Sequence, residues 1–300
     1  MADLEHEARR LISNSLSSNT WSTYETALNA LHNFRTAYKL NQVWPVPIDQ
    51  LSLFIAHMSL KQFSVNTART YISALSSVHK FKGIQDCTNH FIIQKMLSGM
   101  SKTNSPRDTR QPITFNLLHI IIANLPNVCL STYETCLFSA VFQVAFFGFF
   151  RVGELVETKS GRPGIMKSDV TLLKDPGRVN FNLRHSKGDR SRHGVLVTLT
   201  ALPNHRLCPV RAMEHYFTIR PVEPHAAFVH FDHTNLTRYQ FQAVLKKTLV
   251  YSGLPSDNFK SHSFRIGAAT SAALNGVDAE IIQKLGRWGS NCYLSYIRFS

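Results

Sequence analysis

Between Leu137 and Phe150 the chain is almost wholly apolar, interrupted by Ser139, Gln143 and Gly148. A helix needs about 20 apolar residues to span a bilayer, and this run is shorter and leads straight into Arg151 and Glu154. It reads as a helix buried on all sides in a globular core. Other elements must wrap around it, and a charged pair must stand at its end.

The flanking sequence supplies those elements. Thr114 caps a helix to about residue 124, ahead of the apolar helix over 130–148. Three strand-like runs follow at 168–173, 178–183 and 195–199, and the turn between the last two is dense in charge and contains Gly188. Pro209 opens a helix through Phe217, and helices resume over 238–249, 263–274 and 278–285, with a short one at the end. The first hundred residues read as helices throughout. Asn19-Thr20 caps one that runs from Trp21, with Tyr24, Leu28, Leu31 and Phe34 at helical spacing. Pro45 and Pro47 precede a second over 49–60. Ser64 or Asn66 caps a third that places Ala68, Tyr71, Ile72, Leu75 and Val78 on one face and stops at Gly83. A fourth covers 89–100. On the third, Arg69 lies on the polar side, which is either a solvated face or a contact surface. The polar, proline-bounded stretch 101–112 reads as a linker. The expected architecture is therefore mainly α with a small antiparallel β-sheet: a helical domain over 1–100, a linker over 101–112, and a mixed α/β domain over 113–300.

Thirty-three Lys and Arg against 19 Asp and Glu leave a net charge of +14, which predicts an anionic partner, nucleic acid first. No long basic amphipathic helix argues for a membrane surface. The five cysteines are scattered without a CxxC pair, so neither a zinc site nor a disulfide framework is expected, and the N-terminus has no apolar signal core.

Four segments carry groups that do chemistry. Arg151, at the end of the apolar helix, needs an anionic partner, and Glu154 at i+3 supplies one. Lys187 sits in the charged turn 184–193, where Arg190 and Arg192 also lie; such a turn reaches toward phosphate or is simply solvated. His262 and Arg265, at i and i+3, share a helix face and suit a phosphate: arginine by paired hydrogen bonds, histidine as donor or proton shuttle. Tyr296 is a candidate nucleophile. Its phenol needs a base or strong positive charge to attack at neutral pH. Tyr293, one turn earlier, is a core residue or the rival nucleophile.

Taken in order, Arg151-Val-Gly-Glu154, Lys187, His262-Ser-Phe-Arg265, Leu285-Gly286-Arg287-Trp288 and Tyr296-Ile297-Arg298 resemble the tyrosine recombinase (phage integrase) family. Leu207-Cys-Pro-Val-Arg-Ala-Met213 is similar to a segment frequent in it. The resemblance spans nearly the whole chain. It implies a SAM-like core-binding domain ahead of a catalytic domain, clamped on double-stranded DNA. Arg151, Lys187, His262, Arg265, Trp288 and Tyr296 would be catalytic, with Glu154 and Arg287 supporting and Arg69, Arg190 and Arg192 on the DNA. The family usually has His or Trp nine residues before the nucleophile. Here Arg287 holds that position and Trp288 stands at eight, so a one-residue shift gives Trp288 the role unless Arg287 touches the phosphate itself.

The implied reaction is strand cleavage and rejoining through a 3′-phosphotyrosine link, with no cofactor and no metal, by copies that associate on DNA and with no membrane partner. A non-catalytic DNA-binding descendant and a type IB topoisomerase-like activity are the alternatives. The Gly-Arg-Trp and Tyr-Ile-Arg wording is similar to DIRS-type or Crypton-type elements of eukaryotes, which implies the nucleus; a bacterial source implies the cytoplasm.

Overall fold

The computed structural model describes residues 1–103, 108–173, 177–184, 194–202, 207–223 and 225–298. They form two compact units, Met1–Asp108 and Thr109–Ser300. Lys187, Arg190 and Arg192 lie outside the described residues.

The first unit holds α1 (Ala2–Ser15), α2 (Ser18–Ala37), α3 (Ile48–Leu60), α4 (Val65–Phe81) and α5 (Phe91–Thr103). The first of these was not expected; it buries no residue. The second begins earlier than the Asn19-Thr20 pair suggested, because Ser17 takes the cap and accepts the Thr20 amide at 3.3 Å. Ser64 likewise settles the start of α4, accepting from Thr67 at 3.1 Å. Leu31, Phe34, Phe54, Ile72 and Leu75 meet in this unit's core. His79 is fully buried beside them: Nε2 accepts the Val46 amide at 3.0 Å and Nδ1 faces the Leu75 carbonyl at 2.7 Å. Asn66 and Arg69 are exposed on α4.

Helix α5 continues through Ser101–Thr103, so the start of the expected linker is helical. Its end belongs to the second unit, where the Gln111 and Ile113 amides bond the Asn258 and Ser263 carbonyls at 2.9 and 3.0 Å. There follow α6 (Phe115–Asn124), capped by Thr114, and α7 (Thr132–Phe147), the expected apolar helix, with every residue from Leu137 to Phe146 but Ser139 buried. The short α8 (Val152–Leu155) carries Glu154.

Strands β1 (Val170–Leu173), β2 (Arg178–Leu183) and β3 (Val195–Thr200) form an antiparallel sheet in the order β1-β2-β3. The first starts later than 168 because Lys167–Asp169 is a 3₁₀ turn. Alternation along β2 turns Val179, Phe181 and Leu183 inward, and Phe181 meets Phe150 edge-on at 5.3 Å, tying the sheet to the end of α7. Then come α9 (Pro209–Ile219), α10 (Arg238–Tyr251), α11 (Ser263–Leu274) and α12 (Ala279–Leu285), and a closing 3₁₀ turn, Asn291–Tyr296. Phe142 of α7 packs against Phe241 and Phe264 at 4.7 and 5.1 Å, which centres α10 and α11 on the apolar helix. Among the described residues no helix is long and apolar enough to cross a membrane.

Candidate active site

Helices α7 and α12 end with a glycine at the cap and a side-chain-bearing residue in the left-handed position after it, and the site lies between their ends. Helices α2 and α3 also close on left-handed non-glycine residues, Lys39 and Gln62. A helix often closes with its first residue past the cap in the left-handed region, normally glycine. Helix α4 does so with Gly83 at φ +63°. Helix α7 instead has Gly148 as its cap and Phe149 at φ +49°; α12 has Gly286 as its cap and Arg287 at φ +55°. Each closure is complete, with Phe149 and Phe150 amides on Phe146 and Ala145, and Arg287 and Trp288 amides on Lys284 and Gln283, at 2.9 to 3.1 Å. The glycines sit one place early because an aromatic ring lies on each: a Cβ at Gly148 would strike the Phe150 ring, and one at Gly286 the Trp288 ring. The left-handed positions keep side chains at about 1–2 kcal/mol per residue.

Arg265, on α11 and wholly buried, spans the two ends. Nη1 donates to the Phe149 carbonyl and Nη2 to the Gly286 carbonyl. Arg287 turns back to the first end, donating to Gly148 O at 3.0 Å, Phe149 O at 3.1 Å and Glu154 Oε2 at 3.1 Å. Both guanidiniums thus rest on helix C-termini, where the backbone dipole favours cations. Burial makes both easier to deprotonate than a free arginine; Arg151 disfavours both charges further, and Glu154 offsets this. Glu154 also accepts from Arg151, from Nη1 at 3.0 Å and from the backbone amide at 2.9 Å. One buried carboxylate therefore orients two arginines. Arg151 keeps about a quarter of its side chain exposed, and Arg287 about a tenth.

The 3₁₀ turn brings Tyr296 to this centre. Its Oη is 2.9 Å from His262 Nε2, at the start of α11. Trp288 is buried, its ring centred 4.9 Å from that of Tyr296 and 4.3 Å beneath the Arg265 guanidinium. Among the described residues its indole Nε1 and Arg265 Nε are buried without a hydrogen-bond partner. Tyr293 is buried, its ring centred 6.3 Å from that of Trp288, and is a core residue. Burial, then the charges of Arg110, Arg265, Arg151 and Arg238, push His262 down to about 4. At neutral pH its imidazole is uncharged, which leaves one ring nitrogen free to accept a hydrogen bond.

The structure therefore brings Arg151, Glu154, His262, Arg265, Arg287, Trp288 and Tyr296 together. Arg287 directs its terminal N–H groups into protein carbonyls and Glu154, while Trp288 is the member of the pair beside Tyr296. Arg69 lies in the other unit. Sequence reasoning missed the two carbonyl-bearing helix ends, and it missed Arg238, which donates to Ser261 at 3.1 Å beside His262. Arg238 also lines a cleft of about 1000 Å³ in which Lys159, Lys246 and Lys260 outnumber the acidic Glu157 and Asp257. Among the described residues no group of three or more His, Cys, Asp or Glu is set to hold a metal ion.

Comparison with known proteins gives a consistent picture. Residues 113–293 match the model described as the phage integrase family, and residues 9–85 the phage integrase N-terminal SAM-like domain. An integrase/recombinase xerD homolog of Selenomonas ruminantium is 27% identical over 232 residues, 74% of this chain and 64% of the relative. The chain thus spans just under two thirds of that relative's length. Among solved structures, the XerH site-specific recombinase bound to palindromic difH substrate matches with a TM-score of 0.69 at 16% identity, over 92% of this chain and 75% of its own. The Tn1549 transposon integrase in complex with a circular intermediate DNA matches at 0.64 and 12%, over 98% and 94%. At such identities the likeness is one of fold.

Proposed function

Because the chain belongs to the phage integrase family, we propose that it is a site-specific DNA recombinase that cleaves and rejoins strands through a 3′-phosphotyrosine link. The observation that carries this reading is the 2.9 Å hydrogen bond between Tyr296 Oη and His262 Nε2, set among arginines. A nucleophile already on its base, with cations around it, is the arrangement needed to attack a phosphodiester.

In the proposed step Tyr296 Oη attacks phosphorus and its proton passes to His262 Nε2. The bond from phosphorus to the 5′-oxygen breaks, and Lys187 protonates the leaving 5′-oxygen. Arg151 and Arg265 stabilise the charge that builds on the phosphoryl oxygens, each contact contributing about 1.5–3 kcal/mol. The unpartnered Trp288 indole N–H donates to one of the same oxygens. Glu154 and Arg287 hold the arginines and the Phe149 carbonyl in place. The ester to Tyr296 conserves the energy of the broken bond, so the reverse attack by a 5′-hydroxyl rejoins the strand.

Double-stranded DNA is the proposed substrate. The net charge of +14 and the basic cleft beside His262 support it, with Arg69, Arg190 and Arg192 as further contacts and self-association of copies on the duplex. The Gly286-Arg287-Trp288 and Tyr296-Ile297-Arg298 wording supports a DIRS-type or Crypton-type mobile element, acting in the nucleus. Terminal or split repeats in the flanking DNA would bear on that origin.

A nicked suicide duplex tests the chemistry. The wild type is expected to form a covalent protein–DNA adduct that Tyr296→Phe abolishes and Tyr293→Phe leaves. Binding without an adduct would mean a non-catalytic descendant. Loss of the adduct in Tyr293→Phe alone would mean the wrong nucleophile. Site-independent relaxation of supercoiled plasmid would point to a topoisomerase.

A further inference from the structure

Tyr296 is held at its phenol by His262, but something must also hold its backbone. Among the described residues the segment from Asn291 pairs with no strand, and its own turn closes with an Ile297 amide to Leu294 carbonyl bond of 3.3 Å. Side-chain support within the turn is local, as in Ser295 Oγ on the Cys292 carbonyl at 2.7 Å. Beside the ring packing of Tyr293 and Tyr296, a backbone tie to the rest of the unit comes from Thr270, buried on α11. Its hydroxyl donates to the Tyr296 carbonyl at 3.2 Å and accepts the Arg298 amide at 3.1 Å. One hydroxyl thus ties the backbone on both sides of Ile297. Threonine within a helix commonly spends its hydroxyl on its own helix; here it reaches the tail.

Two more contacts make that anchor rigid. Arg298 Nη1 donates to the Arg110 carbonyl, binding the tail to the segment just ahead of Ile113. That segment lies directly on α11: the Ile113 amide bonds the Ser263 carbonyl, and a Cβ at Gly267 would fall on the Ile113 carbonyl. Helix α11 therefore carries Arg265 and the backbone anchor at Thr270 on one rod, with His262 at its N-terminal cap.

We propose that Thr270 is a positioning residue for the nucleophile: its hydroxyl latches the tail so that the phenol rests on His262 in most molecules. This rests on the recombinase reading above. Without the hydroxyl, the Tyr296 carbonyl and Arg298 amide lose this tie, and the tail keeps the phenol hydrogen bond, its ring contacts and the Arg298 bond to Arg110. The chemistry is unchanged, but the fraction of chains poised to attack falls.

Thr270→Val keeps the branched shape and removes the hydroxyl; Thr270→Ser keeps the hydroxyl. On the nicked duplex under single turnover, Thr270→Val is expected to slow adduct formation by roughly 10²-fold, the scale of a 1 Å misplacement, with duplex affinity unchanged. Thr270→Ser is expected to restore the rate to within a few-fold. Hydrogen exchange adds a readout that general destabilisation does not mimic: the Arg298 amide loses protection in Thr270→Val while the α11 amides keep theirs. Thr270→Ala serves in the same assays where valine lowers the melting temperature below that of the experiment. An unchanged adduct rate, an unprotected Arg298 amide already in the wild type, or failure of serine to rescue would overturn the latch while leaving the recombinase reading intact. A wild type that binds duplex without an adduct would overturn that reading instead, and the catalytic meaning of the latch with it.

Discussion

At the scale of single residues, Glu154 and His262 decide how the site behaves. Glu154 is the shared partner of Arg151 and Arg287, and removing one member of a buried ion pair leaves the other uncompensated. Glu154→Gln is expected to cost about 3 kcal/mol of stability, seen as a lower urea midpoint with an unchanged slope. His262 is held near 4 by burial and surrounding arginines. An unfolded chain takes up this proton as pH falls through about 6.5, whereas the folded protein resists until about 4. The contribution to stability is therefore complete above about 6.5 and is lost as pH falls toward 4. The same shift extends the acid limb of cleavage: the second-order rate on nicked duplex is expected to stay level from pH 7 to 5 and to halve near 4. A midpoint near 6.5 would show that the histidine is not shielded as described.

At the scale of elements, the spacing of His262 and Arg265 was legible because a helix puts i and i+3 on one face, and the buried apolar helix was legible from its composition. Which of Arg287 and Trp288 lies beside Tyr296 was not. It turns on the left-handed backbone at Arg287, which sends the guanidinium back to Gly148 and Phe149 and leaves the indole beside Tyr296. Thr270 was equally hidden: amid Gly267, Ala268 and Ala269 it reads as a small packing residue, and its partners lie on a tail the helix meets only when folded. The paired helix ends give their own prediction. Gly286→Ala places a methyl against the Trp288 ring and is expected to destabilise by about 1–3 kcal/mol through overpacking. Gly289→Ala, with open space around its Cβ, is expected to leave the melting temperature unchanged.

At the scale of the whole molecule, charge should govern the proposed binding of duplex DNA. With a net charge of +14 and phosphate as the chief ligand, binding should weaken steeply with salt. For about 6–10 phosphate contacts, affinity is expected to fall roughly 10³- to 10⁵-fold between about 50 and 200 mM salt, measured by fluorescence anisotropy on a duplex. A flat response would argue against a phosphate-tracking interface. The polar composition of 101–112 gave no sign that the Gln111 amide, and that of Ile113 just beyond, find partners far along the chain. The hydrogen bond from Tyr296 to His262 lies within a single chain, and that has a genetic consequence. Two defective copies, one Tyr296→Phe and the other His262→Ala, have no means of complementing each other. Mixed on one nicked duplex, they are expected to remain as inactive as either copy alone; restored cleavage would reveal a tyrosine donated between copies.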